Sequence, residues 1–294
     1  MDEMRTGSVQ ANGLRFATIE AGDGPLVLCL HGFPDHARSF RHQLPVLAAA
    51  GFRAVAPFMR GYAPSDVPAD GPYQSAALAQ DAVALIEALG YQQAALFGHD
   101  WGAVAAYSAA IAAPDRVTRL VTAAVPHGPA LGSAFLTNYE QQRRSWYMFF
   151  FQTLLAEMAV AHDDFAFLER LWRDWSPGWE WPAAEMESLK ATFRQPGVLS
   201  AALGYYRHTF NPLHQRPELA ELQGLTAFGT VAAPTLFFHG ARDGCIGVEL
   251  LDGMAALFPG GLQTVIVPEA GHFVHQERPD IVNPTLVEFL APLR

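Results

Sequence analysis

The sequence reads Gly98-His99-Asp100-Trp101-Gly102 at the junction between two contrasting segments. The run before it, Ala94 to Phe97, is short and apolar, which is typical of a buried strand. The run after it, Ala103 to Ala113, is rich in alanine and favours a helix. The two glycines leave room for the strand and the helix to cross closely, and they allow strained backbone angles. The segment therefore predicts a sharp strand–turn–helix junction that presents Asp100 at the edge of a sheet.

Asp100 occupies the position at which many enzymes with such a junction carry a nucleophilic serine. Attack by a carboxylate oxygen forms an alkyl ester, so this residue points to substitution at saturated carbon, in an epoxide or an alkyl halide. An aspartate before a helix is also a common N-cap. Taken alone, the pentapeptide favours Asp100 as a helix N-cap. Residues elsewhere in the chain favour Asp100 as the nucleophile instead.

Two further groups follow predicted strands. Asp243 comes after the apolar run that ends at Phe238, and His272 comes after the run that ends at Val267. Singly, Asp243 fits an ordinary turn residue and His272 an ordinary histidine. Together with Asp100 they give the order nucleophile, acid, histidine of the α/β-hydrolase arrangement. In that arrangement His272 activates water against the ester, and Asp243 holds the imidazole in the required tautomer as the charge-relay acid.

A loop with His31-Gly32-Phe33-Pro34 follows the apolar run Leu26–Leu30. Such a loop can offer the backbone N–H of Phe33 to an oxyanion, and the N–H of Trp101 is the second predicted donor. A plain turn is the alternative interpretation of this glycine and proline. The residues predicted to line the substrate pocket are His31, Pro34, Trp101 and Phe273.

Short apolar runs and helical patterns alternate through residues 1–127 and again through 231–294, which predicts a mostly parallel, doubly wound sheet. Residues 128–230 are rich in aromatic side chains at helical spacing and show no clear strand. We expect this middle region to be a helical cap, or lid, inserted over the C-terminal edge of the sheet. The predicted strands are Leu26–Leu30, Ala54–Ala56, Ala94–Phe97, Leu120–Val125, Pro234–Phe238 and Thr264–Val267.

The composition narrows the class of partner. The chain has 294 residues, half of them hydrophobic, and a formal net charge of −10, which argues against nucleic acid and anionic membrane surfaces. The N-terminus lacks the apolar core of a signal peptide, and no uninterrupted apolar run is long enough to span a membrane, so a cytoplasmic location is expected. Cys29 and Cys245 do not make a disulfide framework or a metal site. No metal or organic cofactor is expected, and the oligomeric state stays open, a homodimer included.

The chain resembles epoxide hydrolases of the α/β-hydrolase fold, the soluble type, from about Gly13 to Leu290. The pentapeptide around Asp100 carries the resemblance, together with His31-Gly32-Phe33-Pro34 and Gly271-His272-Phe273. In the middle region, Tyr147-Met148-Phe149 and Gly204-Tyr205-Tyr206-Arg207 are similar to the two segments in which the family carries its tyrosines.

The resemblance implies that Tyr147 and Tyr206 hold and protonate the epoxide oxygen, with Tyr205 as an adjacent competitor for the second position. Asp100 then opens the ring to form a hydroxyalkyl ester, and His272-activated water releases a vicinal diol. The aromatic cap favours a hydrophobic epoxide as the small-molecule substrate. A packed aromatic with its hydroxyl at the surface is the competing interpretation for each tyrosine.

Two alternatives stay open at this point. A haloalkane or haloacid dehalogenase uses the same aspartate nucleophile, with indole N–H groups as halide donors, and Trp101 together with Trp146 or Trp175 fits that requirement. A non-catalytic binding protein of the α/β-hydrolase fold is the second alternative. A serine esterase is disfavoured because no serine occupies position 100.

Overall fold

A computed structural model describes residues 4–293 of the chain. Its strands form one eight-stranded sheet in the order β1-β2-β4-β3-β5-β6-β7-β8. The strands β1 and β2 pair antiparallel, as do β2 and β4, and every later pairing is parallel. Their bounds are β1 Arg5–Ala11, β2 Leu14–Ala21, β3 Leu26–Leu30, β4 Arg53–Pro57, β5 Ala94–His99, β6 Val117–Ala123, β7 Thr235–Gly240 and β8 Leu262–Val267.

The helices fall into two classes: those that flank the sheet, and those that lie between β6 and β7 in the chain. In the first class are α1 Leu44–Ala49, α2 Ser75–Ala88, α3 Trp101–Ala112, α11 Val274–Glu277 and α12 Pro279–Leu290. The second class lies between β6 and β7 and comprises α4 Ala130–Thr137, α5 Tyr139–Arg144, α6 Trp146–Phe150, α7 Ala156–Trp175, α8 Ala183–Phe193, α9 Val198–Phe210 and α10 Ala220–Phe228. Non-helical backbone at 162–165 interrupts α7.

Alternate residues of the strands face two separate cores. In β3, Leu26, Leu28 and Leu30 pack on the face that carries α2 and α3, whereas Val27 and Cys29 pack on the face with α1 and α12. Strands buried on both faces read as continuous apolar runs, which is why β3 and β5 are visible in the sequence. The parallel order brings the carboxyl ends of β3, β5, β7 and β8 to one edge, where loops can place chemical groups.

The structure confirms the predicted α/β-hydrolase fold and extends it by an N-terminal hairpin. The strands β1 and β2 join at Asn12-Gly13, a pair that favours tight hairpin turns. The strand predicted as Leu120–Val125 ends earlier, at Ala123, because Ala124 adopts a positive φ of 71° that a strand does not accommodate. Within residues 4–293, no helix has the length and apolar character needed to cross a membrane.

Candidate active site

Asp100 sits on a strained turn between β5 and α3, with φ 53° and ψ −119°. A non-glycine residue in this region is costly and must be held by its surroundings. A Cβ added at Gly98 would collide with the carbonyl of Gly102, and one added at Gly102 would collide with the carbonyl of Leu30. Both glycines are therefore required for the close crossing that exposes Asp100 at the sheet edge.

The carboxylate of Asp100 lies against the loop that follows β3. The backbone N–H of Phe33 donates to Asp100 Oδ1 at 2.7 Å. A side chain at Gly32 would overlap this carboxylate, so glycine is needed there for close approach. Trp101 is the first residue of α3, and its N–H belongs to the donors that a helix leaves unpaired at its start. The N–H of Phe33 therefore contacts the Asp100 carboxylate directly, and Trp101 follows Asp100 in the chain at the start of α3.

His272 connects the two carboxylates. Its Nδ1 lies 2.9 Å from Asp243 Oδ2, and its Nε2 lies 3.5 Å from Asp100 Oδ2. The other oxygen of Asp243 accepts the backbone N–H groups of Cys245 and Ile246, at 2.7 and 2.8 Å. Since Asp243 is acceptor-only when ionised, Nδ1 carries the proton and Nε2 faces Asp100.

The charges in this cluster shift one another's pKa values. Burial alone lowers the pKa of His272, but the carboxylates of Asp243 and Asp100 outweigh it and raise that pKa well above its usual value. Burial likewise opposes ionisation of Asp243, and the nearby His272 lowers its pKa below the ordinary value. The cluster therefore keeps Asp243 ionised and makes the pKa of His272 depend on the charge of Asp100.

The two predicted tyrosines stand next to each other above Asp100, with ring centroids 5.7 Å apart. The hydroxyl of Tyr206 forms no hydrogen bond in the described part of the chain. That of Tyr147 pairs with Cys245 Sγ at 3.2 Å. Burial, with the charge of Asp100 adding to it, raises the pKa of both tyrosines well above the usual value. Both hydroxyls therefore keep their protons at neutral pH.

Tyr205 points elsewhere, since its hydroxyl donates to the carbonyl of Arg60 at 2.8 Å.

The family model described as the alpha/beta hydrolase fold matches residues 25–279. Epoxide hydrolase 4 of Mus musculus is 31% identical over 292 residues, covering 96% of this chain and 78% of that protein. Epoxide hydrolase A of Mycobacterium tuberculosis is 30% identical over 325 residues and covers 97% of both. The chain belongs to the epoxide hydrolases of the α/β-hydrolase family. The resemblance predicted from the motifs is confirmed, and with it the class of hydrolases acting on ether bonds.

The fold of this family member agrees with solved epoxide hydrolases. The Bacillus megaterium enzyme in complex with an inhibitor superposes with a TM-score of 0.85 at 29% identity, covering 97% of this chain and all of that one.

A cavity of about 290 Å³ opens above Asp100 in this epoxide hydrolase family member. Trp101 and Tyr206 line it. His31, Pro34 and Phe273, which were also predicted to line the pocket, are not among the residues that line this cavity.

Each of these three is occupied by packing or backbone contacts. Both ring nitrogens of His31 bind backbone groups at 3.0 Å, and burial lowers its pKa to about 3. The carbonyl of Pro34 accepts the indole N–H of Trp172 at 2.9 Å. Phe273 is fully buried against the same indole, with ring centroids 4.9 Å apart. These contacts hold the loops that follow β3 and β8 in place.

Cys245 and Gln141 join the helical region to the loop that carries Asp243. Gln141 donates to the carbonyl of Cys245 at 2.8 Å and accepts the N–H of Gly247 at 2.9 Å. Burial raises the pKa of the Cys245 thiol, so it stays a neutral partner for Tyr147. The position of Cys245, two residues past Asp243, is visible in the sequence. Gln141 carries no sequence signal.

The end of α7 contacts both loops that supply Asp243 and His272. The carbonyl of Trp175 accepts the N–H of Gly244 and the N–H of His272, both at 3.0 Å. The next residue, Ser176, donates to Glu277 at 2.6 Å. One helix terminus thereby fixes the spacing of the two loops.

Proposed function

We propose that this chain converts an epoxide to a vicinal diol through a covalent hydroxyalkyl ester on Asp100. Tyr147 and Tyr206 act as ring-opening acids, His272 as the general base and Asp243 as its charge-relay partner. The backbone N–H groups of Phe33 and Trp101 form the oxyanion site. Residues 128–230 form a cap over a core made of 1–127 and 231–294.

One observation supports this function above the others. Three buried polar atoms in the site have no hydrogen-bond partner among the described residues: the Tyr206 hydroxyl, the Trp101 indole N–H and His272 Nε2, the last of which lies 3.5 Å from Asp100 Oδ2. Buried polar groups are normally satisfied, and an unpaired one is costly. A protonated hydroxyl and an imidazole nitrogen facing the same carboxylate match the two needs of epoxide hydrolysis, an acid for ring opening and a base for water.

In ring opening, a carboxylate oxygen of Asp100 forms a bond to an epoxide carbon as the carbon–oxygen bond of the ring breaks. The departing alkoxide takes a proton from a tyrosine hydroxyl, whose raised pKa keeps that proton available up to this moment. Since Phe33 holds Oδ1, we assign the attack to Oδ2 and the ester carbonyl to Oδ1.

Ester hydrolysis depends on the change in charge at Asp100. Esterification removes the carboxylate charge that lay 3.5 Å from His272 Nε2, so the pKa of His272 falls and its neutral form becomes available. His272 then takes a proton from water, and the hydroxide attacks the ester carbonyl. The acyl carbon–oxygen bond then breaks, and the diol oxygen takes a proton from the new carboxylic acid. The proton now on His272 replaces the one that the tyrosine gave up.

A solved relative supports the product class. A Bacillus megaterium epoxide hydrolase variant, 29% identical with a TM-score of 0.84 over 97% of this chain and all of that one, is described in complex with its product, a naphthyloxy-propane-1,2-diol. We therefore infer a hydrophobic epoxide substrate and a 1,2-diol product here.

The dehalogenase alternative needs a second N–H donor beside Trp101. Trp146 is 46% exposed and packs its ring against Phe150 and Phe167, which argues against that role. Trp175 is buried between Tyr147 and His272, so it is the remaining candidate for the second N–H donor of a dehalogenase.

The test is a mass spectrum of the His272→Gln protein after exposure to styrene oxide and, separately, to 1-bromobutane. The variant retains the nucleophile but lacks the base, so we expect an Asp100 adduct that carries the whole mass of the epoxide. An Asp100→Asn variant should give no adduct and serves as the control.

Each other outcome selects an alternative. An adduct that carries only the butyl group indicates a dehalogenase. Absence of an adduct from both reagents, with the protein shown to be folded, contradicts the ester mechanism and favours a binding protein.

A further inference from the structure

The cavity above Asp100 extends mainly in one direction, and packed aromatic rings lie next to Asp100 outside it. The ring of Phe33, whose N–H binds Asp100, packs against Phe151, Trp175 and Phe193 with centroids 5.5 to 6.4 Å apart, and none of these four rings lines the cavity. The cavity runs instead along α3, between α9 and α10, towards the first residue of α2. A substituent on the epoxide therefore has room on one side of the reacting carbon.

The middle of the cavity is apolar. Its wall includes Val104, Leu131, Phe135, Met148 and Phe210. Asp100 is the one acidic or basic side chain among the lining residues apart from His127, whose pKa burial lowers. This section favours a neutral hydrocarbon spacer.

The far end is polar because of Ser108. Trp101, Val104 and Ser108 share one face of α3, and all three line the cavity. Ser108 is 2% exposed, lines the cavity, and makes no hydrogen bond through its side chain in the described part of the chain. At the helical rise it lies about 12 Å from Asp100 along the helix axis.

Two more groups meet this end from other helices. Ser75, the first residue of α2, is 7% exposed, lines the cavity, and makes no hydrogen bond through its side chain within residues 4–293. Gln223 of α10 accepts the N–H of Ala76 at 3.0 Å, which fixes its amide and leaves the NH₂ group as a donor. Hydroxyl and amide groups together can donate to and accept from an uncharged oxygen.

We propose that Ser75, Ser108 and Gln223 form a distal subsite that binds an uncharged oxygen function on the tail of the substrate. Resting on the proposed function, this inference defines the substrate class as a terminal epoxide with an apolar spacer and a hydroxyl or ester oxygen about 12 Å from the attacked carbon. The Ser75 and Ser108 hydroxyls border the cavity without a side-chain partner, so a ligand oxygen at this place can exchange hydrogen bonds with them.

The test compares a matched pair of substrates, 1,2-epoxydecane and 9,10-epoxydecan-1-ol, which differ only by the terminal hydroxyl. The measured quantity is the ratio of kcat/KM for the alcohol to kcat/KM for the hydrocarbon. In the unmodified protein we expect this ratio to be one or more, although an apolar pocket penalises a buried hydroxyl. Ser108→Ala and Ser75→Ala should each lower the ratio about threefold to tenfold.

Ser8→Ala, on the exposed face of β1, is the matched control and should leave the ratio unchanged. A ratio that stays the same in both Ser108→Ala and Ser75→Ala overturns the subsite while the epoxide hydrolase function stands. Failure of the unmodified protein to turn over either substrate, with no Asp100 adduct formed, rejects the proposed function and the subsite with it.

Discussion

Two adjacent tyrosines show how local contacts assign different roles to identical side chains. The hydroxyl of Tyr205 donates to the carbonyl of Arg60, so its proton is committed to a backbone bond. The hydroxyl of Tyr206 has no such bond among the described residues, and its ring lies 5.0 Å from that of Trp101, beside the nucleophile. The contrast supports Tyr206 as the second acid.

Replacing Tyr206 by Phe should slow formation of the Asp100 ester by about 10- to 100-fold, because a hydrogen bond to developing charge is lost. Tyr205→Phe should leave that rate within about twofold and lower the free energy of unfolding by about 1 kcal/mol. Rapid-quench measurement of ester formation checks both variants. Equal rate losses in the two would reassign the second acid.

The pKa of His272 gives the two half-reactions different pH dependences. Ester hydrolysis requires neutral His272, so its rate should rise with pH until the imidazole is deprotonated and then level off. Ester formation requires protonated tyrosines, whose pKa values are raised, so it should stay constant to about pH 9. Single-turnover experiments across this range separate the rates. A hydrolysis rate that falls as pH rises contradicts the role of His272.

The sequence indicates the residues whose role follows from chain position. Asp100, Asp243 and His272 each follow a strand visible as an apolar run, and the sheet brings them together. The position of His31 relative to the cavity depends on how its ring turns inward to bind backbone groups, which no pattern reveals. The place of Ser108 on the cavity wall is hidden too, since a serine within an alanine-rich helix carries no signal.

At the scale of elements, the end of α7 holds the site together. Its last carbonyl, on Trp175, binds loops from two different strand ends, and the approach is so close that a Cβ at Gly244 would collide with the carbonyl of Asp174. A Cβ at Gly271 would meet Ser176 in the same way. Small residues in these loops are therefore a condition of contact between the helical region and the sheet.

Gly244→Ala should lower the free energy of unfolding by about 1–3 kcal/mol, because the loop must move away from α7. The movement also displaces Asp243, so activity should fall more than stability alone explains. Gly224→Ala is the matched control. It lies within α10 with no atom within 4 Å of the added Cβ, and it should stabilise the protein by about 0.5–1 kcal/mol. Urea unfolding and initial rates test both, and an unchanged Gly244→Ala protein would show that α7 tolerates the shift.

The elements missed in the sequence have a common physical cause. The strands β1 and β2 are partly exposed, so they lack the continuous apolar run that marks β3 and β5. Their turn, Asn12-Gly13, was the available signal. The exposure of the hairpin also explains its place at the edge of the sheet, where it pairs antiparallel.

At the scale of the whole molecule, the net charge and the lining of the cavity both disfavour anionic substrates. The formal net charge is −10, and the cavity carries the Asp100 carboxylate at one end with neutral groups along its length. The summed field repels anions as they approach, and the apolar wall penalises them once inside. A neutral tail meets neither barrier, so selection against anionic substrates operates both in encounter and in binding.

Rates with 10,11-epoxyundecanoate and its methyl ester separate these two barriers. At low ionic strength the carboxylate should have a kcat/KM about tenfold or more below that of the ester. Raising the salt concentration shortens the Debye length from about 10 Å at 0.1 M to about 3 Å at 1 M, which weakens the long-range repulsion. The gap should therefore narrow without closing, because salt does not relieve desolvation in the cavity, while the rate with the ester stays nearly constant. A gap that widens with salt would mean that a basic group attracts the carboxylate, contrary to the neutral lining of the cavity.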